Sequence, residues 1–258
     1  SKVAKFCNVQ VESVIESRDV STIYEVPIRM LKEGLDVEVL RKLRLPEGKT
    51  PELRAWRDFL ERFNHPRHEV TIMLVGKYVE LVDAYKSIRE AFIHAGAKHE
   101  CRVRVVSVSS EELTWENVAE RLKGADGVFV APGFGLRGVE GKLAAVRYAR
   151  ENGIPFFGVC LGMQCAVVEF ARDVLRMVKA TSREWDSATS EPVIDLMESQ
   201  KGVTDKGGTM RLGSYPCTLL RGSKVFEAYG KEEIRERHRH RYEFNDSYHD
   251  RFAESGMV

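Results

Sequence analysis

Gly158-Val159-Cys160-Leu161-Gly162-Met163-Gln164 is the stretch on which the fold turns. It joins an apolar run, Ile154 to Val159, to a helical pattern, Met163 to Arg172, with no loop between them. A buried strand that passes straight into a helix is the repeating step of a parallel sheet. The cysteine stands at the corner with a glycine two residues away on each side, the arrangement of a nucleophile elbow. A sharp turn there lifts the sulfur out of the sheet, and the glycines leave room for strained backbone and substrate. The unpaired N–H groups of the helix start favour a thiolate. Open parallel sheets bind ligands beyond the carboxyl ends of their strands, which is where this sulfur lies. Cys160 is therefore the candidate nucleophile. The plain alternative, an inert buried thiol, explains neither glycine.

Outward from the corner, strand and helix patterns alternate. Val70 to Val75, Val103 to Val108 and Gly127 to Ala131 read as strands. Ala84 to Ala95, stopped by Gly96, Thr114 to Leu122, stopped by Gly124, and Lys142 to Arg150 read as helices. Short loops join them. The expected fold class is α/β, a mostly parallel open sheet flanked by helices. After Ala180 the strands shorten and Gly-rich turns such as Lys206-Gly207-Gly208 appear, which suggests an appended antiparallel portion.

Upstream the rhythm differs. Residues 1–45 carry short pieces: strand or turn elements around Val9 to Ile15, a helix from Val26 ended by Gly34, and another from Asp36 to Leu43. Their apolar side chains have too few partners among themselves, so they read as the tail of a domain whose body lies upstream. Residues 46–66 read as a charged, turn-rich linker (Leu45 to Pro51) and a boundary helix, Leu53 to Phe63. Residues 67–258 form the main domain.

The bulk numbers exclude several classes. Forty basic and 39 acidic side chains leave a formal charge of +1 in 258 residues, with no overall pull toward nucleic acid or an anionic membrane. Apolar runs are strand-sized, so no membrane span is expected. Five cysteines without a Cys-x-x-Cys pair argue against a disulfide scaffold or zinc site, and fit a reducing, cytoplasmic compartment. No metal site is expected.

An acyl-transfer nucleophile needs an oxyanion hole. The N–H of Leu161 follows the nucleophile, and Ala131-Pro132-Gly133-Phe134-Gly135 closes the preceding strand. Gly133 can bring an amide close to a substrate with no side chain in the way. A plain strand-to-helix turn would use the same Pro-Gly pair. In Arg235 to Arg241 alternation sets arginines on one strand face and His238 and His240 on the other, equally a basic patch, an anion site or a charge-protected edge.

Cys160-Leu161-Gly162-Met163-Gln164 downstream of a Pro-Gly loop resembles the class I glutamine amidotransferases. Gly133 to Gly141, Gly207 to Gly213 and Arg237 to Glu243 narrow the resemblance to the CTP synthase family. Gly76-Lys77-Tyr78, Asp83 to Ser87 and Phe6-Cys7-Asn8-Val9 match it too, so the likeness covers essentially the whole chain.

The resemblance implies a flavodoxin-like glutaminase domain and the end of a synthetase domain. Ammonia from L-glutamine would pass to the synthetase, where ATP-activated UTP, with Mg2+, is aminated to CTP. GTP would be the activator, the assembly a homotetramer, and the glutaminase domain itself free of cofactors. Cys160 would form the glutamyl thioester, Gly133 and Leu161 would hold the oxyanion, and Gly162, Met163 and Gln164 would line the glutamine site. Glu184 would take the substrate ammonium and Arg241 its amino-acid end. Phe134 and Arg137 would belong to the GTP-responsive lid, and Lys2 and Val20 to the nucleotide side.

The sequence also departs from that family. The family draws its base and orienter from a late His-Pro-Glu segment. Only His238, His240 and His249 follow the elbow, and none stands two residues before a Glu. The expectation is a fragment that starts after the synthetase's phosphate loop and stops before that segment, and that alone hydrolyses glutamine very slowly or not at all. Ala131-Pro132 also stands where the family usually has Pro-Gly, and Pro132 has no N–H to donate. Two other readings remain open: a non-catalytic regulatory or assembly module with this fold, and a different cysteine hydrolase with the same elbow.

Overall fold

The computed structural model describes residues 1–46, 48–203 and 208–257. Lys206 and Gly207 of the Gly-rich turn lie outside the described residues. By contact the chain divides into two compact units: residues 1–69 with 87–103, and residues 70–86 with 104–258.

The first unit is helical. It holds α1 (Lys2–Phe6), α2 (Val26–Lys32), α3 (Leu35–Lys42) and α4 (Arg54–Asn64). Ser1 caps α1 through its hydroxyl, and Gly34, with φ 73°, supplies the left-handed turn between α2 and α3. Val9 to Ile15 contains a 3-10 turn, Val11–Ser13, where short strands or turns were expected. The boundary helix packs within this unit. Leu60 joins Tyr24 and Ile28 in a small core, Trp56 donates from its indole to the Tyr24 carbonyl at 2.8 Å, and Tyr24 donates to Glu90.

The second unit carries the sheet. In chain order the strands of the sheet and the helices between them begin with β1 (His68–Gly76), α5 (Lys86–Lys98), β2 (Cys101–Ser109), α6 (Val118–Arg121) and β3 (Gly127–Val130). They continue with α7 (Val139–Glu151), β4 (Phe156–Gly158) and α8 (Leu161–Asp173). Most of α5 and the start of β2 fall in the first unit. The strand order is β2-β1-β3-β4, with β1–β3 and β3–β4 parallel, Leu74 opposite Phe129 and Val130 opposite Gly158. This is the α/β architecture expected from the sequence.

Two helices differ from their expected spans. The helix before β2 starts at Lys86, after a 3-10 turn at Val82–Tyr85, and runs through Gly96 to Lys98. Gly96 is not a stop but a close approach, since a β-carbon there would lie 2.5 Å from the Cys101 carbonyl oxygen. The helix expected from Thr114 is shorter than its span: Thr114 and Asn117 cap each other's backbone reciprocally, the residues between them are turn, and α6 begins at Val118.

The core gathers Val75, Val130, Leu143, Leu161, Val168 and neighbours between the sheet and α7 and α8. Each such aliphatic side chain contributes about 1.5–3 kcal/mol by leaving water. Cys165 sits inside it, and burial pushes its thiol up to about 12. α7 and α8 are tied by Arg150, which donates to the buried Glu169 carboxylate through Nη2 at 2.6 Å and Nε at 3.0 Å.

Beyond α8 come β5 (Thr181–Ser182), β6 (Pro192–Leu196), β7 (Arg211–Thr218), α9 (Lys224–Tyr229), β8 (Glu233–His240), β9 (Tyr242–Phe244) and α10 (His249–Glu254). β6–β9 and β7–β8 are antiparallel, the appended portion anticipated above, while β5–β6 is parallel.

Candidate active site

The strand order reverses between β1 and β3, the kind of switch point where doubly wound sheets bind ligands. Loops after β1, β3 and β4 converge there. The last delivers Cys160. Its φ of 54° and ψ of −110° fit neither strand nor helix, and it caps α8 from outside. Such backbone costs about 1–3 kcal/mol and persists only where the surroundings hold it. Here they do: Val159 N–H donates to Val130 at 3.2 Å, Gly162 N–H to Val159 at 2.9 Å, and Gln164 N–H to Cys160 at 3.0 Å.

The flanking glycines have steric reasons. A β-carbon on Gly158 would lie 2.5 Å from the Gly162 carbonyl carbon, and one on Gly162 would lie 2.2 Å from the Val130 oxygen. Only at these two positions does the corner close. The sulfur is half-buried, and its thiol faces the Gly133 carbonyl oxygen at 4.0 Å. Among the described residues, neither the Leu161 N–H nor the Gly133 N–H has a hydrogen-bond partner. The two residues touch, since a β-carbon on Gly133 would lie 3.3 Å from a Leu161 methyl.

The loop 131–135 is pinned by three charged side chains from three other segments. Lys142 of α7 donates through Nζ to the Ala131 carbonyl at 2.7 Å. Lys77, after β1, donates to the Phe134 carbonyl. Glu184, after β5, accepts from the Gly135 N–H at 2.9 Å. Lys142 is wholly buried, and burial pushes its ammonium down to about 8. Neither lysine was singled out in the sequence. A lysine near the start of an amphipathic helix reads as solvated, and Lys77 entered only as part of a matching string.

The remaining candidates separate into groups. Met163 is exposed beside the corner, while Gln164 is buried and donates to the Tyr242 carbonyl at 3.4 Å. Burial raises the Tyr242 phenol, helped by the charge of Glu184, so Glu184 and Tyr242 share one neighbourhood. Next to it, Arg241 is held by Gln200 at 2.5 Å and Thr209 at 3.0 Å. Phe134 is 78% exposed under the Lys77 ammonium, and Arg137 lies over Tyr78 while pairing with Glu111 at 3.4 Å. Lys2, exposed on α1, and Val20 belong to the first unit.

His238 and His240 do share a face of β8, as the alternation implied, and their rings bond each other at 2.9 Å. Among the described residues no histidine lies within hydrogen-bond reach of the Cys160 sulfur, and no cluster of three or more His, Cys, Asp or Glu could hold a metal. No helix among them is long and apolar enough to cross a membrane.

Comparison with known proteins gives a consistent picture. The family described as glutamine amidotransferase class-I matches residues 80–257, and that described as CTP synthase N-terminus matches residues 1–45. A CTP synthase of Cytophaga hutchinsonii is 60% identical over 257 residues, covering 100% of this chain and 48% of the relative. One from Flavobacterium psychrophilum is 57% identical over 256 residues, covering 99% and 48%. The chain thus spans about half the length of the curated relatives it matches. A solved glutaminase domain of Trypanosoma brucei CTPS, with bound acivicin, matches with a TM-score of 0.66 at 38% identity, covering 72% of each chain.

Proposed function

The chain belongs to the class I glutamine amidotransferases, on the branch of the CTP synthase glutaminase domains, and from that membership we propose that it is the ammonia-releasing part of a glutamine-dependent CTP synthase. The observation that carries the reading is the strained Cys160, set beside two unpartnered backbone N–H groups.

The chemistry follows from the corner. The Cys160 thiolate attacks the side-chain carboxamide carbon of L-glutamine. The oxygen that becomes negative is received by the N–H groups of Leu161 and Gly133. Collapse expels the nitrogen as ammonia and leaves a γ-glutamyl thioester. Water then attacks the thioester, releasing glutamate and restoring the thiol. Glu184 and Arg241 supply the opposite charges that would grip the ammonium and carboxylate of the substrate. Gly162, Met163 and Gln164 form the adjoining wall.

A general base must take the thiol proton and return it to the departing nitrogen. The ammonia would serve a synthetase that activates UTP with ATP. Magnesium would sit with those nucleotides, and no residue of this chain is assigned to it. Lys2 and Val20 would lie on the nucleotide side, Phe134 and Arg137 on a lid answering to GTP, within a cytoplasmic homotetramer.

The test uses the protein translated from its full reading frame, given UTP, ATP, magnesium and either glutamine or ammonium. Cys160→Ala should abolish CTP formation from glutamine and leave formation from ammonium intact. Equal loss with both nitrogen sources would remove Cys160 from its role. A parent protein without glutaminase activity would favour the regulatory-module reading.

A further inference from the structure

Among the described residues, Lys142 is the largest side chain with no exposure to solvent, and it forms no ion pair there. Taking an ammonium out of water costs several kcal/mol unless partners replace the lost hydration. A methionine of similar length would fill the space without that cost. Among the described residues the ammonium makes one hydrogen bond, to the Ala131 carbonyl at 2.7 Å, which shows where its effect is spent.

Ala131 is the first residue of the loop that carries Gly133. The hydrogen bond fixes the plane of the Ala131–Pro132 peptide, and the proline ring fixes the next φ near −65°. Between that anchored carbonyl and the Gly133 N–H, only the ψ of Pro132 remains free. We propose that Lys142 is a positioning residue: anchored on Ala131 and working through Pro132, it aims the Gly133 N–H at the oxygen of the carboxamide that Cys160 attacks. The inference rests on the glutaminase reading above. The titratable groups facing the ammonium are Cys165 on α8, Lys77 after β1 and Cys160 at the corner. Since a cation near Cys160 could also favour its thiolate, the test must separate aiming from ionisation.

The experiment compares glutamine hydrolysis with alkylation of Cys160 by iodoacetamide, in the protein from the full reading frame. Alkylation forms the carbon–sulfur bond and expels iodide, so it needs a thiolate but no oxyanion hole. Lys142→Met should lower kcat for glutamine about tenfold, less than the 10²–10³ expected from deleting a donor outright. The glutamine KM and the alkylation rate should stay within about threefold. Pro132→Gly should also lower kcat, and the double variant should lose less than the product of the two single losses. An unchanged kcat in Lys142→Met overturns the proposal, as does an alkylation rate that falls as far as kcat. If Lys142→Met does not fold, Pro132→Gly decides alone, and an undiminished kcat there overturns it. A parent that hydrolyses no glutamine at all would refute the function proposed above, not the loop geometry.

Discussion

Gly162 rests against the carbonyl of Val130 with no room for a β-carbon, which would come within 2.2 Å of the oxygen. The first turn of α8 is thereby seated directly on β3, and the seat sets the height of the Cys160 sulfur. A methyl group there must push helix and strand apart. Gly162→Ala is expected to cost about 1–3 kcal/mol, the usual range for overpacking. It should also slow alkylation of Cys160 as the corner shifts. A thermal melt and a labelling rate check this, and wild-type values for both would show that the seat is soft.

The backbone at Cys160 stores strain that glycine would release. With φ at 54° and ψ at −110°, a residue bearing a β-carbon is held about 1–3 kcal/mol above its relaxed state. Glycine removes that and adds about 0.5–1 kcal/mol of unfolded-state entropy. Cys160→Gly should therefore be more stable than Cys160→Ala by about 1 kcal/mol, though both lack the sulfur. Urea unfolding of the pair measures it. If the alanine variant proves equally stable, the corner carries no strain.

Glu184 already spends one carboxylate oxygen on the Gly135 N–H. A glutamine amide at the same place could still accept that bond but would carry no charge. Glu184→Gln should raise the glutamine KM at least about tenfold, since a hydrogen bond to a charged group is worth about 1.5–3 kcal/mol. Alkylation by iodoacetamide, which has no ammonium to recognise, should be unaffected. Steady-state kinetics with an unaltered KM would take Glu184 out of substrate binding and leave it a loop anchor.

Burial lowers the Lys142 ammonium to about 8 from an ordinary value of 10.5. Between these values the unfolded chain keeps a proton that the folded chain has released. The contribution of Lys142 to stability therefore rises as pH increases across that window. Cys165 acts in the opposite sense, because its thiol is raised to about 12 and stays protonated in the folded chain above pH 9. The difference between wild type and Lys142→Met isolates the lysine. Wild type should be the less stable of the two near pH 7 and gain on the variant by pH 10, read from chemical unfolding at each pH. A gap that does not change with pH would mean the ammonium is solvated.

The sheet and its corner were legible because they depend on local signals. Apolar strands of four to six residues, glycines at the helix start and short loops leave few other ways to pack. What the sequence concealed depends on contacts between distant residues. Gly96 reads as a helix stop, yet it is a close approach to Cys101 within a continuing helix. Thr114 reads as the cap of a helix to Leu122, and its hydroxyl does accept from the Asn117 N–H, yet regular helix is confined to Val118–Arg121. Glu184 could be chosen only by family likeness, since nothing local distinguishes it from a solvated acid. Lys142 was invisible for the opposite reason: its spacing places it on a helix, and only the packed loop above it shows that this face is dry.

The corner that carries Cys160 also sets terms for any covalent inhibitor. Its backbone is braced by Val130, Val159 and Gln164, and the two glycines leave no slack behind the sulfur. A warhead cannot enlarge this pocket by pressing on it and must arrive already bent to the approach that the thiol allows. Adaptable surface lies to one side, where the thioether of Met163 is 39% exposed and can swing. Selectivity between related enzymes is best sought in what a compound does with that flank.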